Sequence, residues 1–254
     1  MSNEAQIDLD HIAIAAADTA PGLRFLTGTL GGTVLSGGQA IGFRPMQVLV
    51  GDRDGGMKVE LLEPWETERN DFLARFVAHT GAGPHHLTFK VPDFDDALDA
   101  ARAAGFTPVG IDRSDPRWHE AFLHPREAHG TVVQLAQASD AADRASWLAY
   151  VAQHGPSGEP IWWVDPEPPT EGTTYLRRVV LGAPDPAVVL PLYRDLLGGE
   201  VVAKDDGATE LAWPGGGRIR VETRADRAPG VDRLEVEGLG APTNVLGTWF
   251  TPSS

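Results

Sequence analysis

A short strand-like motif that contains a histidine occurs twice, about 75 residues apart, and constrains the fold more than any other feature of the chain. The first copy, residues 9–15, carries His11, and the second, residues 83–91, carries His86. Successive side chains of a strand point to opposite faces, so in each copy the large apolar side chains share one face and the histidine begins the other. Two histidines at equivalent positions of a repeated module predict a metal site on a twofold axis.

The same order of elements follows each histidine strand. The predicted elements are helices over 18–30 and 92–105, with strands over 33–36, 43–50 and 57–63 after the first and over 107–111, 120–124 and 130–136 after the second. Both copies are therefore predicted to be βαβββ modules, which makes the fold class α+β. A helix over 65–80 is expected to join them.

Three segments are predicted along the chain. Residues 1–138 form the paired modules, and residues 139–173 form a helix over 141–154 followed by a linker rich in Pro, Gly and Trp. Residues 174–254 form a third, degenerate βαβββ module and the start of a fourth at 230–236. Because no helix or three-strand set is predicted after 236, the fourth copy is expected to be a fragment.

Strand alternation adds two oxygen donors to the histidines. Placing the aliphatic residues of 58–63 and 131–136 in the core turns Glu60 and Gln134 to the same face as the imidazoles. The candidate ligand set is thus His11, Glu60, His86 and Gln134. Imidazole and hard oxygen donors suit a divalent ion such as Zn, Ni, Co, Mn or Fe(II).

Charge and composition exclude several classes of partner. The net charge of −15 argues against a nucleic-acid surface, and the absence of cysteine excludes thiolate ligands and a cysteine nucleophile. The polar N-terminus shows neither a signal peptide nor a membrane span. We expect a cytoplasmic protein with no membrane partner.

Four motifs, residues 9–15, 58–64, 83–87 and 122–130, resemble those of the vicinal oxygen chelate superfamily, the group of glyoxalases, bleomycin-resistance proteins and extradiol dioxygenases. They look most like its methylmalonyl-CoA epimerase branch. The resemblance implies that two βαβββ modules form a cup of β-sheet around one metal, with one ligand from each of four strands. It also implies a homodimer acting on a small carbonyl compound.

The order of the oxygen ligands departs from that branch, whose members carry Gln first and Glu last. Here Glu60 comes first and Gln134 last, which leaves Glu60 as the one group of the set able to take a proton. The resemblance implies proton abstraction α to a metal-chelated carbonyl of a small acid or thioester, as in an epimerase, isomerase or glyoxalase-like lyase. Fe(II) extradiol-type dioxygenation and non-enzymatic drug binding remain alternatives.

The remaining candidates have more ordinary interpretations. His124 and His129 flank a Pro-Arg loop and are predicted to contact substrate. His85 is predicted to be a turn or packing residue, and Glu63 a surface charge at a strand end.

In the third copy, arginines replace the ligands. Arg178, Arg220 and Arg233 stand where His11, Glu60 and His86 would be. Guanidinium groups cannot hold a cation. This module is predicted to serve packing or dimerisation, or alternatively to form an anion pocket.

Overall fold

The computed structural model describes residues 6–52, 55–116, 118–138 and 174–253. The first module runs in the predicted order. It consists of β1 (Asp8–Ala15), α1 (Ala20–Arg24) with a π-helical turn (Phe25–Thr29), β2 (Thr33–Gly37), β3 (Gly42–Val50) and β4 (Met57–Trp65).

The second module repeats this order after a connecting helix. Its elements are α2 (Phe72–Thr80), β5 (Gly83–Lys90), α3 (Phe94–Ala103), β6 (Val109–Asp115), β7 (Trp118–Leu123) and β8 (Val132–Ala138). The predicted βαβββ repeat and the α+β class are thereby confirmed.

The third module has the same order, and the fourth is more complete than the sequence predicts. The elements are β9 (Tyr175–Ala183), α4 (Pro186–Leu190) with a π-helical turn (Pro191–Leu196), β10 (Glu200–Asp205), β11 (Ala208–Ala212), β12 (Arg218–Thr223), β13 (Gly230–Glu237), β14 (Thr243–Val245) and β15 (Thr248–Pro252). As predicted, neither a helix nor a three-strand set follows β13 in the described residues, but the sequence analysis missed the two short strands β14 and β15.

The strands form two sheets of matching topology. The order in the first is β2-β3-β4-β1-β5-β8-β7-β6, and in the second β10-β11-β12-β9-β13-β15-β14. Strands β1 and β4 are parallel, as are β5 and β8, β9 and β12, and β13 and β15. Within the described residues, the second sheet thus follows the plan of the first, but no strand occupies the position of β6.

The connecting helix α2 is shorter than the predicted 65–80. Strand β4 continues to Trp65, which pairs with Gly42 of β3, and a turn follows in which the Arg69 amide donates to the Glu66 carbonyl. The helix begins only at Phe72, whose amide donates to the Asn70 side chain over 3.2 Å. The predicted helix over 141–154 and the linker lie outside the described residues.

The described residues divide into two compact units. One takes in residues 6–10, 86–138 and 178–232, and the other residues 11–85, 174–177 and 233–253, within the described ranges. In the first unit Phe89 packs against Tyr193 and Trp213, at ring-centroid distances of 6.1 and 5.3 Å. In the second, Ala13 and Ala15 lie under the apolar residues of α2, and their small side chains leave space for the helix.

The strands at the sheet edges are irregular. The ladders of edge strands β2, β6 and β10 with their neighbours each contain a shift of register. The fourth edge strand, β14, is three residues long.

Candidate metal centre

Two imidazoles and a carboxylate come together on the first sheet. The ligand atoms of His11, Glu60 and His86 all lie within 4.8 Å of one another. His11 Nε2 is 3.4 Å from Glu60 Oε2. The parallel register of β1 and β4, in which Ala13 lies beside Glu60, places Glu60 diagonally across from His11. Three of the four predicted ligands are therefore grouped.

The donor set fits a divalent ion. Ligands held at about 2.1 Å from one ion lie roughly 3 to 4 Å apart. The ligand atoms here, which lie within 4.8 Å of one another, are therefore close to the spacing that binding one ion requires. Two neutral imidazoles and one carboxylate are the ligands of many Zn and Fe(II) sites. His11 and His86 are buried, at 1% and 5% exposure, and this low exposure limits competition from water.

Gln47 of β3 holds the Glu60 carboxylate from the other side. It lies directly opposite Glu60 in the β3–β4 ladder, and its Nε2 donates to Glu60 Oε1 over 3.1 Å. One oxygen of Glu60 thus accepts from an amide, while the other faces His11.

The fourth predicted ligand, Gln134 of β8, lies beside Thr88 in the parallel ladder with β5. Thr88 Oγ1 donates to Gln134 Oε1 over 2.5 Å, and Gln134 Nε2 donates to Glu120 Oε2 over 2.7 Å. The register matches that of the first repeat, since Gln134 stands to His86 as Glu60 stands to His11.

Strand β7 supplies further groups on this face. The Trp118 indole donates to Glu120 Oε2 over 3.0 Å. Phe122 lies opposite Gln134 in the β7–β8 ladder, and its ring meets the His86 ring edge-on with 6.2 Å between centroids.

His85 is a packing residue, as predicted. Its ring meets the rings of Phe72 and Phe76 edge-on, with centroids 6.3 and 4.6 Å apart. Burial lowers the pKa of His85 to about 4, against the opposing effect of the Glu60 carboxylate.

Glu63 is not the surface charge that the sequence predicts. It is only 7% exposed, and its Oε2 accepts from both the amide and the hydroxyl of Thr19, over 2.8 and 2.9 Å. Arg44 forms an ion pair with its other oxygen. Strand alternation missed this role because it depends on a residue 44 positions away.

The two predicted substrate-contacting histidines lie in the turn after β7. His124 is exposed, and its Nδ1 accepts from the Arg126 amide over 3.2 Å. His129 has a left-handed backbone, with φ of 55°, and partial burial lowers its pKa.

The arginines of the third and fourth modules occupy the positions of the ligands and are held in ion pairs. In the parallel β9–β12 ladder Arg220 lies beside Val180, as Glu60 lies beside Ala13. Arg220 Nη2 is 2.8 Å from Asp205, and Arg233 Nη2 is 2.6 Å from Glu235.

Arg178 pairs with a buried carboxylate, that of Glu210, which also accepts from Arg218 over 2.9 Å. Burial by itself would raise the pKa of Glu210, but the hydrogen bonds and charges of Arg218 and Arg178 outweigh burial and lower the pKa. These pairings argue against the anion pocket, because each guanidinium already has a carboxylate partner.

Comparison with known families finds a match to most of the first sheet. Residues 10–122 match the model of the glyoxalase/bleomycin resistance protein/dioxygenase superfamily. These residues are therefore similar to the superfamily that the sequence motifs resemble. A search of the curated proteins finds no match. The superfamily includes enzymes and commonly binds a divalent metal.

Solved structures of other proteins are similar to about half of this chain or to nearly all of it. A hypothetical protein from Bacillus halodurans is 26% identical over 55% of this chain and 100% of its own, with a TM-score of 0.48. A methylmalonyl-CoA epimerase from Streptomyces coelicolor, in complex with 2-nitronate-propionyl-CoA, is 27% identical over 54% and 97%, with a TM-score of 0.47. A hypothetical protein from Staphylococcus aureus covers 98% of this chain and 99% of its own at 12% identity and a TM-score of 0.64, a likeness of fold alone.

Among the residues that the structure describes, no helix has the length and apolar character needed to cross a membrane.

Sequence reasoning found the three clustered residues from strand alternation but missed Gln47, Thr88 and Glu120. Strand alternation does place Glu120 on the same face of its strand as Phe122. Assigning Glu120 to the site, however, also requires the register of the β7–β8 ladder, which the sequence does not give.

Proposed function

We propose that this protein is a metal-dependent enzyme that removes a proton from the carbon next to a carbonyl group of a small acid or thioester. The grouping of His11, Glu60 and His86 within 4.8 Å carries this proposal. His11, Glu60, His86 and, as a fourth donor, Gln134 would hold a divalent ion. When bound, the ion would polarise the carbonyl oxygen and so make the neighbouring C–H bond more acidic.

Glu60 is the proposed base. It is the one member of the ligand set that can take a proton, and its side chain keeps 12% exposure. The hydrogen bond from Gln47 holds one oxygen of the carboxylate in place. To act as the base, this carboxylate would have to come within hydrogen-bond reach of the substrate proton that it removes.

His124 and His129 are proposed to contact the substrate. Both lie in the turn that follows β7, the strand that carries Glu120 and Phe122. The product, whether an epimer, an isomer or the result of a glyoxalase-like lyase reaction, depends on which group returns the proton.

Oxygenation is the second candidate, and one observation favours it. Two histidines and one carboxylate also form the ligand set of non-haem Fe(II) oxygenases. Proton transfer predicts exchange of a substrate α-hydrogen with solvent deuterium in the presence of Co, Ni or Mn. Oxygenation predicts activity that requires Fe(II) and consumes oxygen.

Metal analysis of protein purified without chelator tests the proposal. We expect His86→Ala to lose most of the bound metal, because it removes one of the imidazoles, while His79→Ala, at an exposed position of α2, keeps it. The same trace of metal in the wild type and in His86→Ala would contradict the assignment.

A further inference from the structure

The side chain of Gln134 is held between two strands. It lies beside Thr88 in the ladder with β5 and opposite Phe122 in the ladder with β7. Gln134 is 6% exposed and Thr88 fully buried. Both ends of a buried amide need hydrogen-bond partners, so the neighbouring side chains decide which way the amide faces.

Glu120 discriminates between the two orientations of this amide. Gln134 Nε2 donates to Glu120 Oε2 over 2.7 Å, and a flipped amide would instead place its oxygen against the carboxylate, with no proton between two acceptors. Thr88 does not discriminate, because a hydroxyl can donate or accept. Here it donates to Gln134 Oε1, an oxygen with a second lone pair.

Trp118 fixes Glu120 in turn. The indole can only donate, and it donates to the same carboxylate oxygen over 3.0 Å. Glu120 also lies on the face of β7 that carries Phe122, whose ring meets His86. Glu120 Oε2 thus accepts hydrogen bonds from both Trp118 and Gln134.

We propose that Glu120 is a positioning residue that sets the orientation of the Gln134 amide. In this orientation the carbonyl oxygen of Gln134 is the atom that the second repeat would use to ligate a divalent ion. This inference rests on the proposed function. The first repeat has the converse arrangement, in which the amide of Gln47 donates to the carboxylate of Glu60. Each repeat therefore pairs one carboxylate with one carboxamide. On the strand that pairs with the histidine strand, the first repeat carries the carboxylate, Glu60, and the second carries the carboxamide, Gln134.

The test is the dissociation constant for Co²⁺, measured on metal-free protein by competition with a chromogenic chelator. Removing a partner that orients a ligand typically weakens metal binding about 10- to 100-fold, and we expect this loss for Glu120→Ala. Glu120→Gln keeps an acceptor for both Gln134 and Trp118, so its affinity should stay within roughly threefold of wild type. Glu68→Ala, which removes an exposed carboxylate, controls for net charge.

A double-mutant cycle with Gln134→Ala shows whether Glu120 acts through the amide. We expect Glu120→Ala to cause no further loss of affinity in the Gln134→Ala background. Thermal unfolding of each variant separates loss of orientation from loss of fold, and weaker binding at an unchanged melting temperature supports the proposal.

Three results would overturn the inference: wild-type affinity in Glu120→Ala, an equal loss in Glu120→Gln, or additive losses in the double variant. An equal loss would indicate that the charge matters and the orientation does not. If wild-type protein binds no Co²⁺ at all, the proposed function fails first. If it binds and Glu120→Ala binds equally well, only the role of Glu120 fails.

Discussion

The carboxylate of Glu63 joins the end of β4 to the start of α1. It accepts two hydrogen bonds from Thr19 and pairs with Arg44, whose side chain is 18% exposed. Arg44 also lies over the Trp65 ring, 4.9 Å from its centroid. One buried carboxylate thus satisfies a helix-start amide, a hydroxyl and a guanidinium.

Replacing Glu63 by alanine should therefore destabilise the protein. Loss of the buried carboxylate removes two hydrogen bonds from Thr19 and the ion pair with Arg44, and we expect a cost of about 3 kcal/mol. Glu66→Ala removes a carboxylate from an exposed pair with Arg69 and should cost no more than about 0.5 kcal/mol. Urea unfolding measures both, and similar midpoints for the two variants would contradict the role of Glu63.

At the scale of residues, alternation along single strands was enough to find His11, Glu60 and His86. Their faces follow from the period of two, and their proximity follows from the repeat. Glu120 and Gln47 could not be found in this way, because each acts on a residue of the neighbouring strand. Pairing registers depend on turns and bulges that the sequence leaves open.

Tight turns join the elements, and the turn just before β8 contains Gly130, which is constrained in two ways. Its φ is +86°, and a Cβ built on it would lie 1.8 Å from the Pro229 carbonyl oxygen. Gly105, which closes α3, has a similar φ of +91° but no atom within 4 Å of such a Cβ. Comparing alanine substitutions at Gly105 and Gly130 therefore separates the cost of the left-handed backbone from the cost of the contact with Pro229.

We expect Gly105→Ala to cost about 1 to 2 kcal/mol, since alanine resists the left-handed region. Gly130→Ala should cost roughly 1 to 3 kcal/mol more, because the backbone must also move away from Pro229. Chemical unfolding of the two variants gives the difference. Equal losses would show that the contact with Pro229 contributes nothing.

Element order was predictable because glycines end helices and alternation marks strands. Gly31 and Gly198, which follow the helical segments of the first and third modules, have φ values of 64° and 70°. The start of α2 was missed because β4 extends past Pro64 to pair with β3, which is a tertiary effect. The π-helical turns after α1 and α4 likewise have no distinct sequence signal, since helical spacing fits both.

At the scale of the molecule, two sheets share one plan but differ in the chemistry at equivalent positions. The first presents His11, Glu60 and His86, and the second presents Arg178, Arg220 and Arg233. The guanidiniums are paired with carboxylates and cannot bind a cation.

The metal content should accordingly be one ion per chain. Titration of metal-free protein with Co²⁺ should saturate at one equivalent, and His86→Ala should show no tight equivalent, because the second sheet offers no replacement. Arg178→Ala, outside the proposed site, should still bind one. Two tight equivalents in wild-type protein would contradict this division of roles.

The irregular margins of both sheets have a consequence for behaviour in concentrated solution. An outermost strand with regular, unpaired peptide groups can recruit a strand from another molecule and begin aggregation. Here β2, β6 and β10 are interrupted by bulges, and β14 offers only three residues. These interruptions disfavour fibrillar growth by strand addition, although the fold consists mainly of β-structure.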